Sequence, residues 1–239
     1  LAAVQLLPFL DLLAHSQRDK AFADTVWSMP AWGWANYLVP LYRSYYTPLG
    51  TYAQPDQYWI SSYYLGVGVV ALALLAVGLV RRPLVWLLGA LTALCLVLAL
   101  GHHGLVYSAL KQVLPGLGFM RYPVKFVILP TALVPLLAAV FLARCFTVAP
   151  EDWPRYRRRI AGFGVALLAI IGVLVWSAFQ YPLRGASAGV AAQSGALSAG
   201  FLILILAGTV ALRQISRQPW QTPVRLGLLL VLWLDALTA

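Results

Sequence analysis

The sequence predicts an all-α fold, a polytopic transmembrane bundle of about seven membrane helices with interfacial helices in the outside loops. Three observations predict it. Of the 239 residues, 62% are hydrophobic and 10% charged, whereas soluble domains carry roughly 25% charged residues. The apolar residues gather into seven stretches, six of them about as long as a bilayer is thick. The arginines fall mostly on alternate connections between those stretches.

In chain order, residues 1–14 read as the tail of a first span, and the full stretches run over 63–80, 84–101, 126–143, 160–179, 196–212 and 226–239. A membrane helix needs ~20 mainly apolar residues, and a backbone in lipid must satisfy its own hydrogen bonds, which selects helices. No segment of 20 to 50 residues repeats, so a solenoid is excluded and residues 1–239 form a single transmembrane domain. The chain opens on Leu1, and both ends lie inside apolar stretches, so it reads as a fragment of a longer chain.

Two outside segments differ from the rest. Residues 15–62 hold Trp27, Trp32, Trp34 and Trp59 together with many of the tyrosines. Such rings favour the headgroup level, which predicts short helices lying on the membrane surface. Pro30, Pro40, Pro48 and Pro55 cut this segment into pieces too short to span, so it is an aromatic-rich cap. Residues 102–125 predict a short helix over 105–113, a break at Pro115-Gly116 and re-entry into the membrane after Pro123.

The formal net charge of +10 does not indicate nucleic acid, because the cations are scattered between spans rather than gathered on one face. Topology accounts for them. If the Arg81-Arg82 turn lies inside, so do the connections carrying Arg144, Arg155, Arg157, Arg158, Arg159, Arg213, Arg217 and Arg225, as the positive-inside rule requires. The segments holding Arg18, Lys20, Arg43, Lys111, Arg121, Lys125 and Arg184 then face outside. Cys95 and Cys145 lie in or beside spans and have no metal-ligand companions, so both read as packing residues.

Arg121 and Lys125 stand four apart on either side of Pro123, where the outside loop enters a span. A guanidinium fork and an ammonium in a partly dry groove suit a phosphate or diphosphate; the alternative is that both snorkel to headgroups. Asp11, His15 and Arg18 fall at i, i+4 and i+7, a polar stripe along one helical face. Asp11 and His15 are the candidates for acid–base work, with Arg18 a further anion-binding group; the alternative is a structural cluster in which Arg18 neutralises Asp11. Adjacent His102 and His103 lack metal-ligand spacing and read as interfacial hydrogen-bonding residues. Asp235 stands inside the last span, to pair with an unseen residue or mark a polar pathway. No phosphate-cradling, dinucleotide or hydrolase motif occurs.

The run Gln5-Leu6-Leu7-Pro8-Phe9-Leu10-Asp11 with Ser16 and Arg18, then Tyr64-Leu65-Gly66-Val67, Leu98-Ala99-Leu100-Gly101, Leu114-Pro115-Gly116 and Phe119-Met120-Arg121-Tyr122-Pro123-Val124-Lys125-Phe126, resembles in order the pattern of bacterial YfhO-like membrane proteins of the GT-C glycosyltransferase class. The resemblance covers nearly the whole chain. It implies a multi-pass protein of the bacterial inner membrane that transfers a sugar from a polyprenyl-phosphate carrier to an outside acceptor. By it, Arg121, Lys125 and Arg18 hold the carrier phosphate, a divalent metal is a cofactor of the class, and the catalytic acid precedes Leu1. Lys125 stands where the pattern has arginine, and Asp11 where it has a longer acid.

The alternative is a non-catalytic integral-membrane subunit packing, through its cap and spans, against protein partners in a larger membrane complex. A transporter for a lipid-linked anion is a third reading, to which Pro130 and Pro135 would contribute a broken helix. Membrane lipids are partners in all three.

Overall fold

The computed structural model describes residues 4, 7–8, 11–12, 15, 27–55, 57, 62–113, 122–215 and 218–238. Seven α-helices carry most of them: α1 (Val67–Leu79), α2 (Pro83–Ala99), α3 (Leu105–Val113), α4 (Ile128–Thr147), α5 (Trp153–Gln180), α6 (Ala188–Gln214) and α7 (Gln218–Ala236). The segments Pro123–Thr147, Trp153–Gln180 and Ala188–Gln214 are long and apolar enough to cross a membrane, and α1 and α2 are apolar but shorter. The chain is therefore a helical membrane protein.

Local chemistry sets the helix ends. Pro83 opens α2, where its missing N–H has no intrahelical role. Pro123 opens a 3-10 turn, Pro123–Val127, that runs straight into α4. The α4 helix is continuous across Pro130 and Pro135, which corrects the expectation of a break: Pro130 sits in the first turn, where N–H groups lack helical partners, and packed membrane helices absorb an interior proline. The α3 helix occupies the predicted range.

The α1 helix is the hub. Val67, Gly68, Ala71, Leu72, Ala73, Leu75 and Ala76 are all buried, as expected of a helix apolar on every side. It packs most extensively on α4 and also touches α2, α5, α6 and α7. The α5 and α6 helices pair closely because Gly195 leaves room for Val175, a small-residue contact of the kind that joins membrane helices. Outward faces carry exposed Leu84, Trp86, Leu87, Val173, Trp176, Leu229 and Trp233, surfaces suited to lipid.

One end of the bundle is rich in arginine. There the Tyr156 hydroxyl donates to the Leu79 carbonyl at 3.1 Å, and Arg213 Nη2 donates to the Val148 carbonyl at 3.0 Å. The Arg213 guanidinium lies over Trp153 and that of Arg225 over Phe146. Together these contacts bring the α1–α2, α4–α5 and α6–α7 connections to the same end.

The opposite end carries the cap. Its described part is not the set of surface helices expected from the aromatic content. It is a 3-10 helix, Gly33–Tyr37, followed by turns and a two-stranded antiparallel hairpin, β1 (Tyr45–Tyr46) with β2 (Tyr52–Ala53). The frequent prolines, and left-handed backbone at Leu41 (φ 59°) and Arg43 (φ 54°), prevent longer helices. The cap is strapped on by Met29 N–H to the Ala99 carbonyl (2.8 Å), Tyr42 Oη to Ser177 Oγ (2.7 Å), Arg43 Nη2 to the Tyr181 carbonyl (3.1 Å), and a bridge from Tyr45 to Ala186.

Cys95 and Cys145 are buried, so the protein has a quiet thiol background. Cysteines placed at exposed Arg82 and exposed Arg184 are expected to react with a membrane-impermeant maleimide from opposite faces of sealed vesicles. Labelling of both from one face would contradict the helix arrangement.

Candidate functional site

Two places gather polar chemistry, one at the mouth of the bundle and one inside it. At the mouth, the Val124 N–H donates to the Trp27 carbonyl at 3.1 Å, tying the start of the Pro123–Val127 turn to the cap. Trp27 stands edge-on to Tyr122 with centroids 5.7 Å apart, and the Lys125 Nζ lies 4.8 Å from the centroid of the Tyr122 ring. Lys125 itself is exposed. The predicted phosphate-binding lysine is thus presented to the outside of the protein, backed by an aromatic wall, at the head of a span. A cation over a ring face gains about 0.5–1 kcal/mol at an exposed site, too little to prevent the ammonium from meeting an anion.

Arg121 and Arg18, the other two predicted anion-binding residues, lie outside the described residues. Asp11 and His15 both have helical backbone. His15 Nδ1 lies 3.0 Å from the Asp11 carbonyl oxygen and 3.3 Å from its carboxylate, and both side chains are more than three-quarters exposed. The pair matches the i, i+4 stripe predicted. Among the described residues no hydrogen bond or ion pair joins it to Lys125.

Beside the mouth, His102 engages Ser28. Its backbone N–H and its Nδ1 lie 3.3 and 3.0 Å from Ser28 Oγ, consistent with the interfacial role read from the sequence. The Gln57 amide donates to the Ser28 carbonyl at 2.7 Å and accepts from the Tyr63 hydroxyl. Tyr63 in turn stacks on Tyr37 at 6.3 Å. Burial pushes the Tyr37 phenol well above its ordinary pKa, so both phenols act as neutral packing groups. Among the described residues, no group of three or more His, Cys, Asp or Glu side chains gathers as a metal-binding set. Asp11 and His15 alone do not make a divalent-metal site.

Inside the bundle, Asp235 in the last turn of α7 is fully buried. The Tyr64 hydroxyl donates to its Oδ1 at 2.5 Å, and the Gly68 N–H donates to its Oδ2 at 2.9 Å. The Tyr64 oxygen also accepts the Val67 N–H at 3.0 Å and lies 3.3 Å from Ser198 Oγ on α6. Tyr64 has one proton, committed to the carboxylate, so Ser198 is the donor of the last contact. The free N–H groups of the first α1 turn, at the positive end of its dipole, thus face an acid supplied by another helix. Gly66 makes room for it: its φ is +92°, and a Cβ there would lie 2.9 Å from Asp235 Oδ2.

Among the described residues, the partners of Asp235 are therefore Tyr64 and the start of α1. Among the described residues no cation pairs with it. Its depth follows from helix lengths: the 13 residues of α1 rise ~20 Å from the arginine-rich end, within a hydrocarbon core ~30 Å thick. The partnership of Tyr64, Gly68 and Ser198 with Asp235 is not visible in the sequence, because a tyrosine before an apolar run and a lone serine within one look like ordinary membrane-helix residues. The one signal was the acid itself.

No protein-family model, curated protein or solved structure matches the chain.

Asp235→Ala leaves the Tyr64 hydroxyl and the Gly68 N–H unpaired and is expected to cost about 2–4 kcal/mol, while Tyr64→Phe costs about 1–2 kcal/mol. Their effects are expected to be strongly non-additive in a double-mutant cycle read by unfolding in detergent. Gly66→Ala, which meets both the positive φ and the carboxylate, is expected to lower the melting temperature by several degrees, corresponding to about 1–3 kcal/mol.

Proposed function

We propose that the chain is the membrane part of a GT-C-like, YfhO-like glycosyltransferase of the bacterial inner membrane, which moves a sugar from a polyprenyl-phosphate carrier to an acceptor on the outer face. The observation that carries this reading is the placing of Lys125: exposed, aromatic-backed, at the head of α4 and on the cap end of the bundle. The Tyr122-Pro123-Val124-Lys125-Phe126 part of the stretch that carries the resemblance forms this feature. In this reading all seven apolar stretches are membrane helices and the arginine-rich end faces the cytoplasm.

The chemistry asked of the site is simple in outline. A general base takes the proton of the acceptor hydroxyl as its oxygen attacks the anomeric carbon, and the carbon–oxygen bond to the carrier phosphate breaks with its electrons passing to the phosphate. Lys125 and Arg121, with Arg18, stabilise the charge that builds on that leaving phosphate. Asp11 and His15 are the candidate bases in this chain. Their mutual contact and high exposure leave both open to an acceptor.

The reading of a non-catalytic subunit draws on a different observation. The Lys125 ammonium already rests on Tyr122, and no carboxylate pairs with it among the described residues, so the mouth is also a plain cationic rim able to meet a partner.

Release of labelled sugar from polyprenyl-phosphate donors by the full-length protein in detergent tests the proposal. Lys125→Ala and Arg121→Ala are each expected to lower turnover by about 10- to 100-fold, the loss of one charge-assisted contact of about 1.5–3 kcal/mol, with Arg184→Ala unchanged. Absence of turnover with every donor, together with stoichiometric co-purification with another membrane protein, would reject the transferase in favour of the subunit.

A further inference from the structure

We propose that the arginine-rich end of the bundle is a binding site for the headgroup of an anionic phospholipid, formed by the Arg81-Arg82 turn and the first turns of α5. Arg155, Arg158 and Arg159 stand at i, i+3 and i+4 on α5, which places them along one flank of the helix. All three are exposed, as are Arg81, Arg82 and Arg157. The hydroxyl of Tyr156, in the midst of them, donates to the Leu79 carbonyl at 3.1 Å, and Leu79 is two residues from Arg81. That bond holds the two arginine groups side by side at the end of the apolar helices.

The cluster lacks internal neutralisation. Glu151 and Asp152 are the acids described on this connection, both exposed, and among the described residues none of the six arginines forms an ion pair. The other cations described at this end are engaged elsewhere: Arg213 on the Val148 carbonyl and Trp153, Arg144 on Thr147 Oγ1, and Arg225 on Phe146. Six like charges held together at the edge of a low-dielectric slab repel one another, and a counter-charge at that level lowers the cost.

Phosphodiester headgroups lie at that level, flush with helix ends whose flanks are apolar. Guanidinium forks bind phosphate oxygens in bidentate fashion, and basic pockets at helix ends on the cytoplasmic side bind multiply charged headgroups. Two adjacent groups of arginine fit a lipid bearing two phosphodiesters better than one bearing a single phosphate. The acyl chains of such a lipid would lie along the exposed apolar surface that begins with Leu84 and Trp86.

The test uses the full-length protein, delipidated in a neutral detergent, with cardiolipin, phosphatidylglycerol, phosphatidylcholine or soluble inorganic phosphate added. Native mass spectrometry counts bound lipid and thermal melting reads stabilisation. The expected result is retention and stabilisation by cardiolipin above phosphatidylglycerol, with none from phosphatidylcholine or inorganic phosphate. In Arg81→Gln/Arg82→Gln and in Arg155→Gln/Arg159→Gln, cardiolipin affinity is expected to fall on the order of tenfold or more. Arg184→Gln, at the opposite end, is expected to bind as wild type. Cardiolipin binding equal to wild type in both double variants, with an unchanged melting temperature in detergent alone, would overturn the proposal. So would equal stabilisation by phosphatidylcholine or by inorganic phosphate.

Discussion

A buried carboxylate from the last helix closes the exposed polar end of the most buried one. The α1 helix is surrounded by α2, α4, α5, α6 and α7, so the N–H groups of its first turn cannot turn to water, and none of its own side chains caps them. Asp235 on α7 and the Tyr64 hydroxyl satisfy two of them directly, and Ser198 on α6 completes the group. A polar group stranded in hydrocarbon costs several kcal/mol. The position of α1, and with it the packing of the helices around it, depends on this one contact between residues far apart in sequence.

The contact lies where the bundle is uneven in height. The α1 helix stops at Gly66, while α5 and α6 run on to 28 and 27 residues. Above the short helices the chain lays down the cap, whose hairpin and turns fasten to α2, to the end of α5 and to the α5–α6 connection. The mouth with Lys125, Tyr122 and Trp27 borders this covered half, and the acid lies beneath it. The exposed cation at the mouth and the sealed acid inside are separate places: Lys125 stands on the surface, and Asp235 joins helices in the interior.

Much of this was legible in the sequence because apolar length and arginine spacing are direct consequences of the bilayer. The apolar runs mark the helices over 84–101, 126–143, 160–179 and 196–212, and the break at Pro115-Gly116 limits the 105–113 helix. Helix ends were less legible. The α5 helix begins at Trp153, well before its apolar run, because its first turns carry arginines that belong to the interface, and α6 begins at Ala188, soon after the left-handed Gly185 and well before its own apolar run. In the described part of the cap, aromatic content reports a location at the interface but not a backbone shape; the prolines and the left-handed Leu41 and Arg43 set that shape. Of the candidate site, the Asp11–His15 spacing follows from helical periodicity, and the place of Lys125 at the entrance to a span follows from Pro123 and the apolar run after it. The Asp235 partnership joins residues 171 positions apart, and no local pattern announces it.

The most direct measurement is hydrogen exchange at the amides of residues 67–70 in detergent micelles, comparing the wild type with Asp235→Ala. If the carboxylate secures the start of α1, exchange there rises by an order of magnitude or more in the variant while the middle of α5 stays protected. Unchanged protection at residues 67–70 in a folded Asp235→Ala protein would contradict the account.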